Sequence, residues 1–151
     1  MQKPEPEQLK ALALFGGISD EALGRFADTA DVVDIAPGQC VFVEGDAARS
    51  LFVVAAGRLA VVKSCDDGER SLNDIGPGDF FGEMSFVDMQ PRSATVRAME
   101  RTILWAWPYS TLGETYRKDG KTYTLLVMNI ARELSRRLRR ADQMLTGRQP
   151  D

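Results

Sequence analysis

The segment Phe80-Phe81-Gly82-Glu83-Met84-Ser85-Phe86-Val87-Asp88-Met89-Gln90-Pro91-Arg92-Ser93-Ala94-Thr95-Val96-Arg97-Ala98 organises this chain of 151 residues. It follows the turn Gly76-Pro77-Gly78-Asp79, passes through a short helical turn and a loop, and re-enters an alternating strand. A glycine that opens a helical turn leaves backbone N–H groups free to face an anion. Arg92, nine positions after Glu83, supplies a planar cation that can pair with a phosphate through two bonds, and Ser93 adds a hydroxyl. A carboxylate beside a phosphate is repulsive, and an ionised one only accepts hydrogen bonds. Glu83 therefore makes sense against a sugar hydroxyl, and the segment asks for a ligand with a phosphate next to a free hydroxyl. Taken singly, a Gly-Glu pair with a later Arg also reads as an ordinary Glu83–Arg92 ion pair beside a glycine turn.

Phe-Gly-Glu-Met-Ser, a short loop and then Pro-Arg-Ser-Ala-Thr-Val-Arg-Ala together resemble the phosphate-binding cassette of the cyclic nucleotide-binding domain family. That family includes the catabolite activator protein, the regulatory subunits of protein kinase A and cyclic-nucleotide-gated channels. The resemblance implies that Glu83 takes the ribose 2′-hydroxyl and that Arg92 pairs with the cyclic phosphate. It also implies that Gly82 and the backbone around Met84, Ser85, Ser93 and Ala94 complete the cradle. Ser85 stands where the family often has Ala, and both residues are small.

Bulk composition bounds the alternatives. A hydrophobic content of 44% and a charged content of 27% are those of a globular domain, and a net charge of −3 does not advertise nucleic acid. No run approaches the roughly 18 apolar residues of a membrane helix. The stretch Met1-Gln2-Lys3-Pro4-Glu5-Pro6-Glu7 lacks signal-peptide architecture, which makes the cytoplasm the expected location. Cys40 and Cys65 are the only cysteines and there is no histidine. Two cysteines make neither a disulfide framework nor a metal site, and the usual general base is missing. A binding protein without catalysis, metal or cofactor is expected.

Outward from the segment, periodicity predicts the rest. Glu7 to Phe15 reads as an amphipathic helix carrying Leu9, Leu12 and Phe15, ended by Gly16-Gly17. Ser19-Asp20-Glu21 starts a second helix with Leu23, Phe26 and Ala27 on its apolar face. From Asp31 the period becomes two. Val33 and Ile35, Val41 and Val43, Leu51 to Ala55, Leu59 to Val62, Leu72 and Ile75, Thr95 to Met99 and Ile103 to Trp107 read as strands, within a pattern of about eight short ones. Pro37-Gly38, Glu44-Gly45-Asp46, Gly57 and Asp66-Asp67-Gly68 punctuate them. The expected fold is α+β, mainly β: an antiparallel jelly-roll barrel with N-terminal helices and a long C-terminal helix. Residues 1–30 form the helical lead-in, 31–107 the barrel with the cassette at 80–98, 108–145 the C-terminal helices and 146–151 a tail.

A short helix is expected over Tyr109–Tyr116, and a long one from about Thr122 to about Leu145. The long helix carries Leu126 or Val127, Ile130, Leu134, Leu138, Ala141 and Leu145 in one stripe, close to a coiled-coil seam. At that length it extends about 36 Å, farther than one small barrel covers. The resemblance implies that it covers the nucleotide and forms a homodimer seam. Arg132, Arg136, Arg137, Arg139 and Arg140 make its later half basic, which suits a helix C-terminus and a solvated dimer rim better than DNA. The transcription-factor branch of the family reads adenine through a Thr-Ser pair on this helix. Ungapped alignment puts Arg137 and Leu138 there, leaving Asn129, Glu133, Arg136 and Arg137 as candidate base-reading residues. The ligand is expected to be cAMP in preference to cGMP. That branch continues into a winged helix-turn-helix, for which too few residues remain here. The expectation is a sensor module acting in trans on a protein effector, or a piece of a longer chain. The alternatives are an interaction protein with a vestigial or retuned pocket, and a transcription-associated regulator without its own helix-turn-helix.

Overall fold

The computed structural model describes residues 2–147; of the expected tail, residues 148–151 lie outside the described residues. Two four-stranded antiparallel sheets form the body. The first has the order β1 (Asp31–Ile35), β8 (Thr102–Pro108), β3 (Ser50–Ala56), β6 (Phe80–Phe81). The second has the order β2 (Cys40–Phe42), β7 (Thr95–Ala98), β4 (Leu59–Cys65), β5 (Gly68–Ile75). Among the described residues no strand pairs across the two sheets, so the jelly roll is an open sandwich and not a closed barrel. Gly57 makes the turn from β3 to β4 at φ +103°, where a Cβ would lie 2.5 Å from Thr102 Oγ1; only glycine fits.

The expected helix over Glu7–Phe15 is two pieces: α1 (Pro6–Lys10) and a single 3-10 turn (Ala13–Phe15). The break falls at Leu12, which is extended at ψ 142°. At 100° per residue one straight helix would point Leu9, Leu14 and Phe15 in three directions. Broken, the segment buries all three. The second helix, α2 (Asp20–Thr29), forms as read, and the Ser19 hydroxyl accepts its cap bond from Ala22 N–H at 3.2 Å. After β8 come α4 (Tyr109–Lys118) and α5 (Gly120–Thr146), with Asp119 capping α5 by accepting from Thr122 N–H.

Strand β8 runs through the middle of the molecule and is apolar on both faces. Leu104 points between the sheets, packing with Val54, Leu59, Phe81 and Val96. Trp105 and Trp107 point the other way, into a cluster with Leu9, Phe15, Phe26, Leu126 and Ile130 that bolts the helices onto the first sheet. Trp107 Nε1 donates to Phe26 O at 2.9 Å, and its ring meets Phe15 edge-on at 5.4 Å. A strand covered on both sides reads as a continuous apolar run, as Ile103 to Trp107 does.

Candidate functional site

Strand β6 delivers the chain to Gly82, which caps the six-residue helix α3 (Glu83–Asp88) in the left-handed region at φ +87°. A Cβ there would come within 2.9 Å of Arg92 Nη1 and 3.0 Å of Ser50 O, so both backbone angle and space require glycine. Met89 ends the helix, also left-handed at φ 60°, with its N–H on Ser85 O at 2.8 Å. The loop then returns to β7, and the turn Glu44-Gly45-Asp46 pins it. Gly45 N–H donates to Arg92 O at 2.8 Å, and Arg92 N–H donates to Asp46 O at 2.9 Å. From β4, Lys63 Nζ holds Ser93 O at 2.8 Å. A punctuation mark in the sequence is thus the platform for the cassette arginine.

The two charged residues of the cassette are both buried: Glu83 is 1% exposed and Arg92 5%. They are not each other's partners. Arg92 donates through Nη1 to Gly82 O at 3.0 Å and to Tyr109 Oη at 3.1 Å, and through Nη2 to Ser50 O at 2.7 Å. Its guanidinium lies 4.1 Å from the centre of the Phe42 ring, a cation–π contact. Its Nε is buried and has no hydrogen-bond partner. Glu83 instead accepts from Arg137 of α5, which also donates to Phe80 O at 3.0 Å. The ordinary Glu83–Arg92 ion pair is therefore replaced by a bond between residues 54 positions apart. Tyr109, the first residue of α4, donates to Gly82 O while it accepts from Arg92. Burial pushes its phenol above the usual range, with the neighbouring Arg92 opposing, so it stays protonated at neutral pH.

These residues surround a cavity of about 150 Å³. Gly82, Glu83, Met84, Ser85, Arg92, Ser93 and Ala94 all line it, together with Arg137 and the apolar side chains of Phe42, Val61, Phe81 and Val96. A second hollow of about 480 Å³ between β5 and α5 shares Asn73, Ile75 and Arg137 with the first. Glu133 lines this hollow along with Arg140. Two candidate base-reading residues lie elsewhere. Asn129 is buried under the N-terminal segment, where Nδ2 donates to Leu14 O at 2.8 Å and to Gly16 O at 3.0 Å and Oδ1 accepts from Arg132. Arg136 points outward to Glu133. The spacing of the long helix is readable in the sequence but its rotation is not, and one residue of rotation moves a side chain by 100°. Sequence reasoning misses Tyr109, Phe42 and Lys63, because nothing local marks an aromatic or a lysine in a strand or a helix start as part of a site.

Arg92 and Glu83 thus line one small cavity, reached from a glycine-capped turn. Residues 32–119 match the cyclic nucleotide-binding domain. The chain belongs to that family. It is 34% identical over 135 residues to the cyclic AMP receptor protein of Thermus thermophilus, an overlap of 89% of this chain and 61% of that protein. The crystal structure of the Thermus thermophilus catabolite activator protein superposes with a TM-score of 0.76 at 33% identity, over 89% of this chain and 62% of that one. The CRP-like cAMP-activated global transcriptional regulator of Mycobacterium tuberculosis is 32% identical over 110 residues, 67% of this chain and 49% of that protein. The domain thus spans about half to three fifths of these relatives. A cyclic nucleotide-binding domain from Methylobacillus flagellatus shares the fold at a TM-score of 0.83 and 23% identity, over 96% of this chain and 83% of that one. No helix of the described residues is long and apolar enough to cross a membrane.

Proposed function

We propose that the domain is a non-catalytic cyclic nucleotide sensor, with cAMP as its preferred ligand, acting in the cytoplasm through its C-terminal helix on a protein effector. The observation that carries this reading is the buried Arg92 with its unpartnered Nε–H, held in one cavity with the carboxylate of Glu83. A buried donor without a partner costs on the order of 1–3 kcal/mol, and a phosphate oxygen would recover it. The 150 Å³ cavity is too small for a whole nucleotide, since ligand sites usually run to about 300–1,000 Å³. In this reading the ribose and cyclic phosphate enter the cavity and the base lies in the adjoining hollow between β5 and α5. Glu133, Arg140 and Asn73 line that hollow and offer it polar groups. The cAMP preference draws on the names of the bacterial relatives.

Glu83 links ligand to output. Its carboxylate takes Arg137 from α5 and would also accept from the ribose hydroxyl, so nucleotide and helix share one acceptor. Any ligand that changes how firmly Arg137 is held shifts the balance between positions of α5, and it does so only by its differential affinity for them. The exposed Leu138 and Leu145, seven positions apart on the same helix, provide a seam for a homodimer.

The test is calorimetric titration with cAMP and with cGMP, using Arg92→Ala as the comparison. We expect cAMP to bind, cGMP to bind more weakly, and Arg92→Ala to lower affinity by at least about 100-fold, as befits loss of a charge-assisted contact in a buried site. An Arg92→Ala protein that binds as tightly as the unsubstituted one would defeat the assignment. Absence of binding to both nucleotides would leave a vestigial or retuned pocket.

A further inference from the structure

Arg92 is a buried cation whose hydrogen bonds all end on neutral oxygens: Gly82 O, Ser50 O and Tyr109 Oη. A buried charge without a counter-charge is tolerated only when its hydrogens are well bonded. Two of these acceptors are main-chain carbonyls, which no side-chain change can remove. The third is a side chain, and it comes from the first residue of α4. Its phenol donates to Gly82 O and accepts from Arg92 Nη1, while Nη1 itself reaches Gly82 O. The three groups therefore close a triangle of hydrogen bonds around the glycine that caps α3. A guanidinium is planar, so fixing both terminal nitrogens also fixes Nε. The Tyr109 ring is held separately, tilted against Phe86 at 5.2 Å. The hydroxyl can thus be removed while the ring keeps its packing.

We infer that Tyr109 is a positioning residue for the anion end of the site: its hydroxyl holds the Arg92 guanidinium in the orientation that presents Nε–H to a ligand phosphate. The inference rests on the nucleotide-binding reading for the identity of the ligand, but the holding of Arg92 stands apart from it. Through the same bond α4, and with it the C-terminal helices, is tied to the residue that meets the phosphate.

Two measurements on Tyr109→Phe and Arg92→Lys, singly and combined, test this. The first needs no nucleotide. In nitrogen–proton spectra the Arg92 Nε–H, assigned by its disappearance in Arg92→Lys, should exchange slowly with water. In Tyr109→Phe it should exchange about tenfold faster or more, the scale of one lost bond to a charged group, while the melting temperature stays within about 3 °C. The second is calorimetric titration with cAMP. Tyr109→Phe should weaken binding about tenfold when Arg92 is present and less than about twofold in the Arg92→Lys background, because the phenol acts through the guanidinium. Unchanged Nε–H exchange overturns the inference, as does an equal loss of affinity in both backgrounds, which would make Tyr109 a packing residue only. If the unsubstituted protein takes up neither cyclic nucleotide while Nε–H responds to Tyr109→Phe, the ligand reading fails and the positioning stands. Tyr109→Met, which also lacks the hydroxyl, is the second variant should the Phe protein be unstable.

Discussion

The two halves of α5 share one apolar stripe and have opposite surroundings. In the first half Leu126 and Ile130 are buried in the cluster shared with the N-terminal segment and the first sheet, and Asn129 bonds Leu14 O and Gly16 O. In the second half Leu138 is 64% exposed and Leu145 86%. Between them Arg137 reaches back into the sandwich to Glu83. The difference teaches that a stripe of period three to four reports an apolar face but not what covers it. The first half belongs to the domain's own core. The second runs on past that core, tied to the sandwich by Arg137 through Glu83 and Phe80 O.

The comparison can be broken most forcefully at Ile130. Ile130→Ala should lower stability by about 2–5 kcal/mol, the usual range for emptying a packed core position, and thermal unfolding measures it. A loss below about 1 kcal/mol would mean that the first half is not the anchor. Next is the tie itself. Arg137→Ala leaves the carboxylate of Glu83, 1% exposed, without its cation, and should cost about 1–3 kcal/mol in denaturant unfolding. Hydrogen exchange in residues 138–146 should then rise more than in residues 122–130; an equal rise would mean that Arg137 does not hold the far half.

A smaller effect is expected at the helix start. Thr122, through its hydroxyl and its backbone N–H, holds the Asp119 carboxyl below the ordinary carboxylate range, with Arg25 adding to this. A carboxylate with a depressed folded-state pKa stabilises above its unfolded value, near about 4, and that contribution disappears as pH falls through the folded value. Asp119→Ala should therefore melt lower than the unsubstituted domain at pH 7, and the gap should close on acidification below about pH 4. A gap that persists at about pH 2 would assign the effect to something other than the ionised cap. The smallest effect is expected at Leu138. Leu138→Ala should change the unfolding of the monomer by no more than about 0.5 kcal/mol. Sedimentation sharpens the contrast: loss of a dimer in Leu138→Ala would show that a second copy covers the far half.

Much of the fold is legible in the sequence because β-turn chemistry is local. Pro37-Gly38 and Glu44-Gly45-Asp46 sit between strands as read, Asp66-Asp67 turns β4 into β5, which starts at Gly68, and the period-two runs between them form the two sheets. The break within Glu7–Phe15 is not legible, because helix spacing permits several apolar residues per turn, whereas the choice to bury Leu14 beside Leu9 is made by the tertiary core. The cassette residues are legible as a set because they fall in two short runs of one segment, 82–85 and 92–94, and all seven line one cavity. The partners of the charged pair are not. Glu83 meets Arg137 and Arg92 meets Tyr109 and Ser50 across separations of 54, 17 and 42 residues, and no one-dimensional signal encodes such contacts. Asn129 has the right chemistry for a base and the wrong azimuth on its helix.

Trp105 and Trp107 are the chain's two tryptophans, and both sit in the layer between the first sheet and the helices. Neither lines the cavity that holds Glu83 and Arg92. Intrinsic emission excited at the indole band is therefore blind to direct contact with a nucleotide and watches instead the seating of α2 and α5 on the sheet. A change in that emission on adding cAMP would be an optical readout of motion carried from one layer of the molecule to the other.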